Sequence, residues 1–181
     1  QMFAYAEGYK AFLDEAKTER EACAAAVRMA REAGFTEFKF GDKLSTGDKK
    51  YFVNRGKSVV VFRVGSENLE EDGFRIIASH IDAPRVDIKQ NPLYEEAGMC
   101  FLKTHYYGGI KKYQWTTIPL ALHGVVMLKD GRKVELNVGE KADDPVFYID
   151  DLLPHLGGEQ MAKGGAKVIE GEQLNVVVGA M

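Results

Sequence analysis

The stretch that decides the fold is RIIASHIDAPRVDIKQNPLYE, residues 75–95. It begins with the apolar run Ile76, Ile77 and Ala78 and then reaches two ionisable residues, His80 and Asp82. Because the run is apolar on both faces, it predicts a central strand of a covered sheet. Side chains two residues apart on an extended chain point to the same face, so His80 and Asp82 are expected together at the carboxyl end of this strand, where open α/β sheets bind ligands.

The residues before this stretch predict two helices and a hairpin. Apolar residues at helical spacing indicate a helix over 3–16. Thr18 and Glu21 have the spacing of a capping box, which predicts a second helix that begins near Glu19 and ends at Gly34. Residues 54–57 have the composition of a turn between two strands.

The residues after Pro92 predict mostly β-strands, with one short helix near 150–156. The strand-like runs are 100–107, 120–128, 133–138 and 174–178. We therefore predict the fold class α/β, with part of a helix-covered sheet in residues 1–95 and a mostly β domain in residues 96–181.

Composition limits the classes of function. The net charge of −3 and the pI of about 5.9 argue against a nucleic-acid partner, which requires a concentrated basic surface. No apolar stretch approaches the length that spans a bilayer, and no secretory signal is visible, so we expect no membrane partner. Cys23 and Cys100 both fall in apolar patterns typical of small buried residues, which favours a reducing cytoplasm.

His80 and Asp82 allow two interpretations. An imidazole that binds a metal through one nitrogen commonly donates its other N–H to a carboxylate, and His-x-Asp supplies both groups. The alternative is a hydrogen-bonded histidine at the end of a strand, followed by a capping aspartate. The spacing by itself leaves both interpretations open.

Four segments in order resemble the aspartyl aminopeptidase family, particularly its bacterial branch. They are SHIDAPRVDIKQNPLYE, KTHYYGGIKKYQW, IPLALHGVV and DPVFYIDDLLPHL. The family consists of two-zinc exopeptidases that remove N-terminal residues from peptides. The resemblance implies a zinc-exopeptidase-like catalytic domain followed by a β dimerisation domain. It implies that His80 is the first zinc ligand and that Asp82 is the catalytic-site aspartate that orients it. It also implies that His155 reaches a partner's active site to bind substrate.

The resemblance also implies an incomplete active site. The family's bridging aspartate, its catalytic Glu-Glu pair, a further carboxylate ligand and a final histidine follow the β domain, and nothing in this chain matches them. We therefore expect the N-terminal portion of the enzyme, with the rest of the catalytic domain absent. Such a chain supplies at most one ligand to the two zinc ions, is inactive alone and forms a homo-oligomer through its β domain. The alternative is a non-catalytic oligomerisation or interaction module.

Other polar residues favour structural roles. Glu95 and Glu96 are expected to be solvated loop charges, and His123 a structural residue within a strand. His105 fits a packed barrel corner better than a functional site, although both interpretations stay open. The paired aspartates lack the loop spacing of a calcium site, which favours capping and turn roles. They are Asp143, Asp144, Asp150 and Asp151.

Overall fold

A computed structural model describes residues 1–180, which form two compact units divided between Ala83 and Pro84. Met181, the last residue of the predicted second domain, lies outside the described residues. Helices and sheets are both present, so the α/β fold class is confirmed. The predicted division between residues 95 and 96 falls within paired strands of the second unit; as a statement about the domains of a longer protein, it stays a prediction.

The first unit contains three helices and one three-stranded sheet. Its elements in chain order are α1 (Met2–Glu15), α2 (Glu19–Glu32), β1 (Thr36–Glu37), β2 (Lys49–Asn54), β3 (Ser58–Arg63) and α3 (Leu69–Asp72). The sheet has the order β1-β2-β3, with β1 parallel to β2 and β3 antiparallel to β2. The two predicted helices and the predicted hairpin are therefore present.

Local sequence explains where α2 begins and how the hairpin turns. Thr18 caps α2, because its hydroxyl accepts a hydrogen bond from the Glu21 backbone N–H at 3.3 Å. In the turn between β2 and β3, Arg55 has φ 54° and Gly56 has φ 66°. Positive φ at both central residues is the geometry of a type I′ turn, whose twist matches that of the flanking strands.

The core of the first unit lies between α2 and the sheet. Ala22, Cys23 and Ala25 of α2 are buried, and so is Tyr51 of β2. The Tyr51 hydroxyl accepts a hydrogen bond of 2.8 Å from Nε of Arg31, which ties the end of α2 to the sheet. Burial of Cys23 confirms its predicted packing role, and burial also raises the pKa of its thiol.

The predicted third strand of the first unit is wrong. Residues 73–84 form neither helix nor strand, and Ile76 and Ile77 are 71% and 101% exposed. A central strand needs neighbours that satisfy its N–H and C=O groups and cover both of its faces. The three strands of the first unit pair only with one another, so residues 73–84 have no neighbouring strand to pair with. Apolar side chains alone therefore do not place this segment in a sheet.

The second unit consists mainly of antiparallel strands. Its elements are β4 (Arg85–Glu96), β5 (Met99–Tyr107), a 3-10 helix (Lys112–Gln114), β6 (Leu122–Met127), β7 (Lys133–Val138), α4 (Gly158–Met161), a second 3-10 helix (Gly171–Gln173) and β8 (Val176–Ala180). One sheet has the order β4-β5-β8 and the other pairs β6 with β7. The predicted strands near 100–107, 120–128, 133–138 and 174–178 are present, with shifted ends.

The longest strand, β4, was not predicted, and it corrects the interpretation of Glu95 and Glu96. Both carboxylates are exposed as predicted, but they are the last two residues of β4 rather than part of a loop. The register of β4 against β5 shifts between Ile88 and Leu93. This bulge contains Pro92, whose missing N–H is tolerated at such an irregularity.

The core of the second unit is a cluster of four buried residues: Ile149, Ile169, Leu174 and Val176. The side chains of Trp115 and Phe147 pack against this cluster and are themselves partly buried. The hydroxyl of Thr104, which is also buried, donates a hydrogen bond to the carbonyl of Leu174. The polar side chain in this core is therefore satisfied, as buried hydroxyls require.

The short helix predicted near 150–156 is also wrong. Residues 154–156 form a turn, in which the N–H groups of Leu156 and Gly157 both donate to the carbonyl of Leu153. Pro154 disfavours helical geometry in the residue before it, which explains why the turn replaces a helix here. The nearest helix, α4, begins at Gly158. Among residues 1–180, no helix is long and apolar enough to cross a membrane.

Candidate functional site

The structure brings His80 and Asp82 into direct contact. Nδ1 of His80 lies 3.0 Å from Oδ1 of Asp82 and 3.1 Å from its backbone carbonyl oxygen. The distance between the side chains is that of a hydrogen bond, although neither residue lies in a strand. The contact expected from the His-x-Asp spacing therefore forms without the strand that was expected to create it.

The two side chains of this pair differ in exposure. The imidazole of His80 is 83% exposed, whereas the side chain of Asp82 is 34% exposed. When Nδ1 carries the proton, it donates to the carboxylate, and Nε2 then holds the lone pair of the neutral ring. A half-buried carboxylate beside an exposed imidazole can therefore fix both the tautomer and the ring orientation of a ligand histidine.

The residues present do not make a complete metal centre. Within residues 1–180, no three His, Cys, Asp or Glu side chains converge in a way that could hold a metal ion. A catalytic zinc normally has about three protein ligands. His80 fits one position of such a site, and residues 1–180 do not complete its ligand set.

The other three histidines lie in separate elements of the second unit. His155 is exposed and lies in the turn of residues 154–156. His105 is exposed on β5, where its ring stands 5.3 Å from that of Tyr106. His123 lies in β6 as predicted, and its Nε2 is 2.9 Å from Oε1 of Glu140. The contact of His123 with Glu140 supports its structural interpretation.

The predicted turn role of one aspartate is visible in the second unit. Oδ2 of Asp144 accepts hydrogen bonds from the backbone N–H groups of Gly139 at 2.9 Å and Lys141 at 3.1 Å. These N–H groups, that of Gly139 most strongly, hold the pKa of the Asp144 carboxyl below its ordinary value. Asp144 therefore stabilises a turn through its charged form.

An apolar cavity that the sequence did not reveal lies in the second unit. Its volume is about 110 Å³, and its lining includes Val86, Leu102, Trp115 and Phe147. These residues come from β4, β5 and two loops that are distant in sequence. No local pattern could therefore signal the cavity.

Comparison with known proteins gives a consistent family. Residues 12–180 match the family described as aminopeptidase I zinc metalloprotease (M18). A relative from Clostridium acetobutylicum, named a probable M18 family aminopeptidase 1, is 48% identical over all of this chain and 40% of its own length. The chain thus spans about 40% of the length of the curated relatives that it matches.

Two crystal structures share the fold. An M18 aminopeptidase from Thermotoga maritima superimposes with a TM-score of 0.89 at 41% identity, covering 98% of this chain and 39% of that one. Aminopeptidase I from Borrelia burgdorferi gives 0.84 at 40% identity, covering 100% of this chain and 40% of that one. With the family match extending over most of the sequence, this chain belongs to the M18 family of aminopeptidase I zinc metalloproteases.

Proposed function

We propose that the full-length protein that carries this chain is a zinc-dependent aminopeptidase that hydrolyses N-terminal residues from peptides. This chain supplies its N-terminal portion. The observation that carries the proposal is the 3.0 Å contact between Nδ1 of His80 and the Asp82 carboxylate, beside an otherwise exposed imidazole. Family membership supports zinc as the metal.

In this proposal His80 binds zinc and Asp82 is a positioning residue. Asp82 holds the proton of the imidazole on Nδ1 and keeps the ring in one orientation, which leaves Nε2 as the ligand atom. When bound, zinc supplies the positive charge that polarises a peptide carbonyl. The contribution of this chain is binding and orientation, because its described residues do not complete a zinc site.

The 181-residue chain alone is expected to be inactive. One histidine does not hold a catalytic zinc against water, and the second ion of the proposed two-zinc centre has no ligand set in residues 1–180. The net charge of −3 and the two unpaired cysteines fit a cytoplasmic enzyme without a nucleic-acid or membrane partner.

We further propose that the second unit mediates homo-oligomer formation and presents His155 to a peptide substrate in a partner's active site. The turn that carries His155 is flanked by apolar side chains, with Leu153 66% exposed and Leu156 72% exposed. Exposed apolar side chains in one segment are typical of an interface. A more distant protein of the same fold, from Saccharomyces cerevisiae, is described as a dodecamer.

The second candidate function is a non-catalytic oligomerisation module, which the same exposed leucines favour. The two candidates differ in the consequence of removing His80. An oligomerisation module does not need an imidazole in the first unit, whereas a zinc enzyme does.

The test compares histidine variants of the full-length protein on aminoacyl p-nitroanilides with zinc present. His80→Ala is expected to lower kcat/KM by more than about a hundredfold, and Asp82→Asn by about 10- to 100-fold. His105→Ala is the matched control and is expected to stay within about twofold of the unsubstituted enzyme. Activity that survives His80→Ala would refute the proposal, and so would zinc-dependent turnover by the 181-residue chain alone.

A further inference from the structure

A hydrogen bond between two side chains closes the loop that carries His155. Nε2 of Gln160 donates to Oδ1 of Asp151 at 2.8 Å, and the backbone N–H of Leu152 donates to the same oxygen at 2.8 Å. Both distances are at the short end of the range for N–H···O bonds. His155 lies between the bonded side chains, four positions after Asp151 and five before Gln160. We call the contact of Asp151 with Gln160 the loop clamp.

The Asp151 end of this loop is anchored in the core of the second unit. Ile149, two residues before Asp151, is fully buried, and its carbonyl accepts a hydrogen bond of 2.8 Å from the N–H of Thr117. Oγ1 of Thr116, a residue that is 7% exposed, lies 3.4 Å from Oδ2 of Asp151. The carboxylate that receives the Gln160 amide is therefore itself held in place.

The chain inside the loop is also hydrogen-bonded. The N–H groups of Leu156 and Gly157 both donate to the carbonyl of Leu153, at 2.8 and 2.9 Å. Gly157 is buried, and a Cβ added to it would stand 3.3 Å from Oε1 of Gln160. The Gln160 amide thus packs against the base of the turn while it forms the clamp. The turn and the clamp together restrict the backbone on both sides of the exposed imidazole of His155.

We propose that Asp151 and Gln160 are positioning residues, which hold the loop in the conformation from which His155 reaches a peptide substrate. This inference rests on the proposed function, in which His155 enters a partner's active site. Within residues 1–180, the ring of His155 has no hydrogen bond that fixes it. Its position therefore depends on the backbone that carries it, and the clamp acts on that backbone.

A clamped loop lowers the cost of binding a substrate. If residues 151–160 moved freely, the apparent affinity would fall by the fraction of molecules in the competent conformation. The net contribution of one hydrogen bond corresponds to about a three- to tenfold shift in such an equilibrium. Because the clamp affects substrate and transition state alike, its loss is expected to raise KM and to leave kcat nearly unchanged. A residue that only stabilises the fold would lower the amount of active enzyme and leave KM unchanged.

The test is a double-mutant cycle in the full-length enzyme with zinc present. Asp151→Ala removes the clamp, whereas Asp151→Asn keeps an oxygen that can accept from the Gln160 amide and serves as the conservative variant. Asp150→Ala removes the exposed carboxylate next to the clamp and is the matched control. Each substitution is measured with His155 present and again in combination with His155→Ala.

Asp151→Ala is expected to raise KM for a peptide substrate about three- to tenfold while kcat stays within about twofold. Asp151→Asn and Asp150→Ala are expected to change KM less than about twofold. In the His155→Ala background, Asp151→Ala is expected to have no further effect on KM, because the group that it positions is gone. An equal rise in KM with and without His155 would overturn the proposal, and so would equal effects of Asp150→Ala and Asp151→Ala.

Hydrogen exchange of the loop is a second readout, which needs no turnover. The amides of Leu156 and Gly157 exchange when their bonds to the Leu153 carbonyl open. Asp151→Ala is expected to speed their exchange about three- to tenfold, and Asp150→Ala less than about twofold. Unchanged exchange in Asp151→Ala would overturn the clamp in an enzyme that is fully active. Faster exchange in an enzyme whose KM does not depend on His155 would instead refute the substrate role of His155, on which the inference rests.

Discussion

Replacing Leu174 by alanine tests the assignment of the core of the second unit. Leu174 is fully buried, at 0% exposure, among Ile149, Ile169 and Val176. Leu→Ala removes three carbon atoms, worth about 2.4 kcal/mol at roughly 0.8 kcal/mol per buried methylene. If about 50 Å³ of the vacated space stays empty, the cavity adds roughly 1 kcal/mol, so the free energy of unfolding is expected to fall by about 3–4 kcal/mol.

Urea unfolding followed by tryptophan fluorescence reports on unfolding of the second unit. The chain has one tryptophan, Trp115, whose side chain packs against the core of the second unit. Leu93→Ala is the matched control, because Leu93 is 69% exposed and the same substitution there is expected to cost less than about 0.5 kcal/mol. Equal losses for the two variants would show that the core is assigned to the wrong residues.

Two further predictions concern a 3-10 helix and a turn of the second unit. Gly171→Ala is expected to lower its unfolding free energy by about 1–3 kcal/mol, since an added Cβ would stand 2.8 Å from Cε1 of Tyr106. The control is Gly165→Ala, where a Cβ meets nothing within 4 Å; similar urea midpoints for the two variants would contradict the account. Asp144→Ala is expected to destabilise the unit in a pH-dependent way. The folded-state pKa of Asp144 is lowered, so its contribution is present above the ordinary pKa of 3.8 and is lost as the pH falls through the folded-state value. The difference in urea midpoint between the two proteins should therefore be largest near neutral pH and shrink as the pH falls below the ordinary pKa of 3.8. A difference that grows on acidification would refute this assignment.

Local sequence signals predicted the elements whose interactions are local. The capping pattern at Thr18 placed the start of α2 at the correct residue, because the cap is made by side chains within three positions. The turn at residues 54–57 set the register of β2 against β3, because Gly56 allows the positive φ that the turn needs. In both cases the determining contacts lie inside the predicted segment.

Elements that depend on distant partners were predicted less well. The run Ile76–Ala78 has the composition of a buried strand, but burial needs neighbouring strands, and the sheet of the first unit does not supply them. The opposite error occurred at β4, whose Asn91 and Pro92 interrupt an otherwise strand-like pattern. A bulge opposite β5 accommodates them, and a bulge is a property of two strands together.

The candidate site lies between these cases. The contact of His80 with Asp82 follows from a spacing of two residues and could be predicted locally. The other ligands of a zinc site come from separate parts of a chain, so neither the spacing nor residues 1–180 can reveal them. Family resemblance assigned a role to His155, and the structure shows its exposed turn without testing that role.

The central claim is that His80, held by Asp82, is a zinc ligand. Anomalous diffraction at the zinc edge from crystals of the full-length protein tests it most directly. We predict a zinc ion about 2.0–2.1 Å from Nε2 of His80, while Nδ1 keeps its contact with the Asp82 carboxylate. Zinc bound by other residues, with the His80 ring outside coordination distance, would contradict the account.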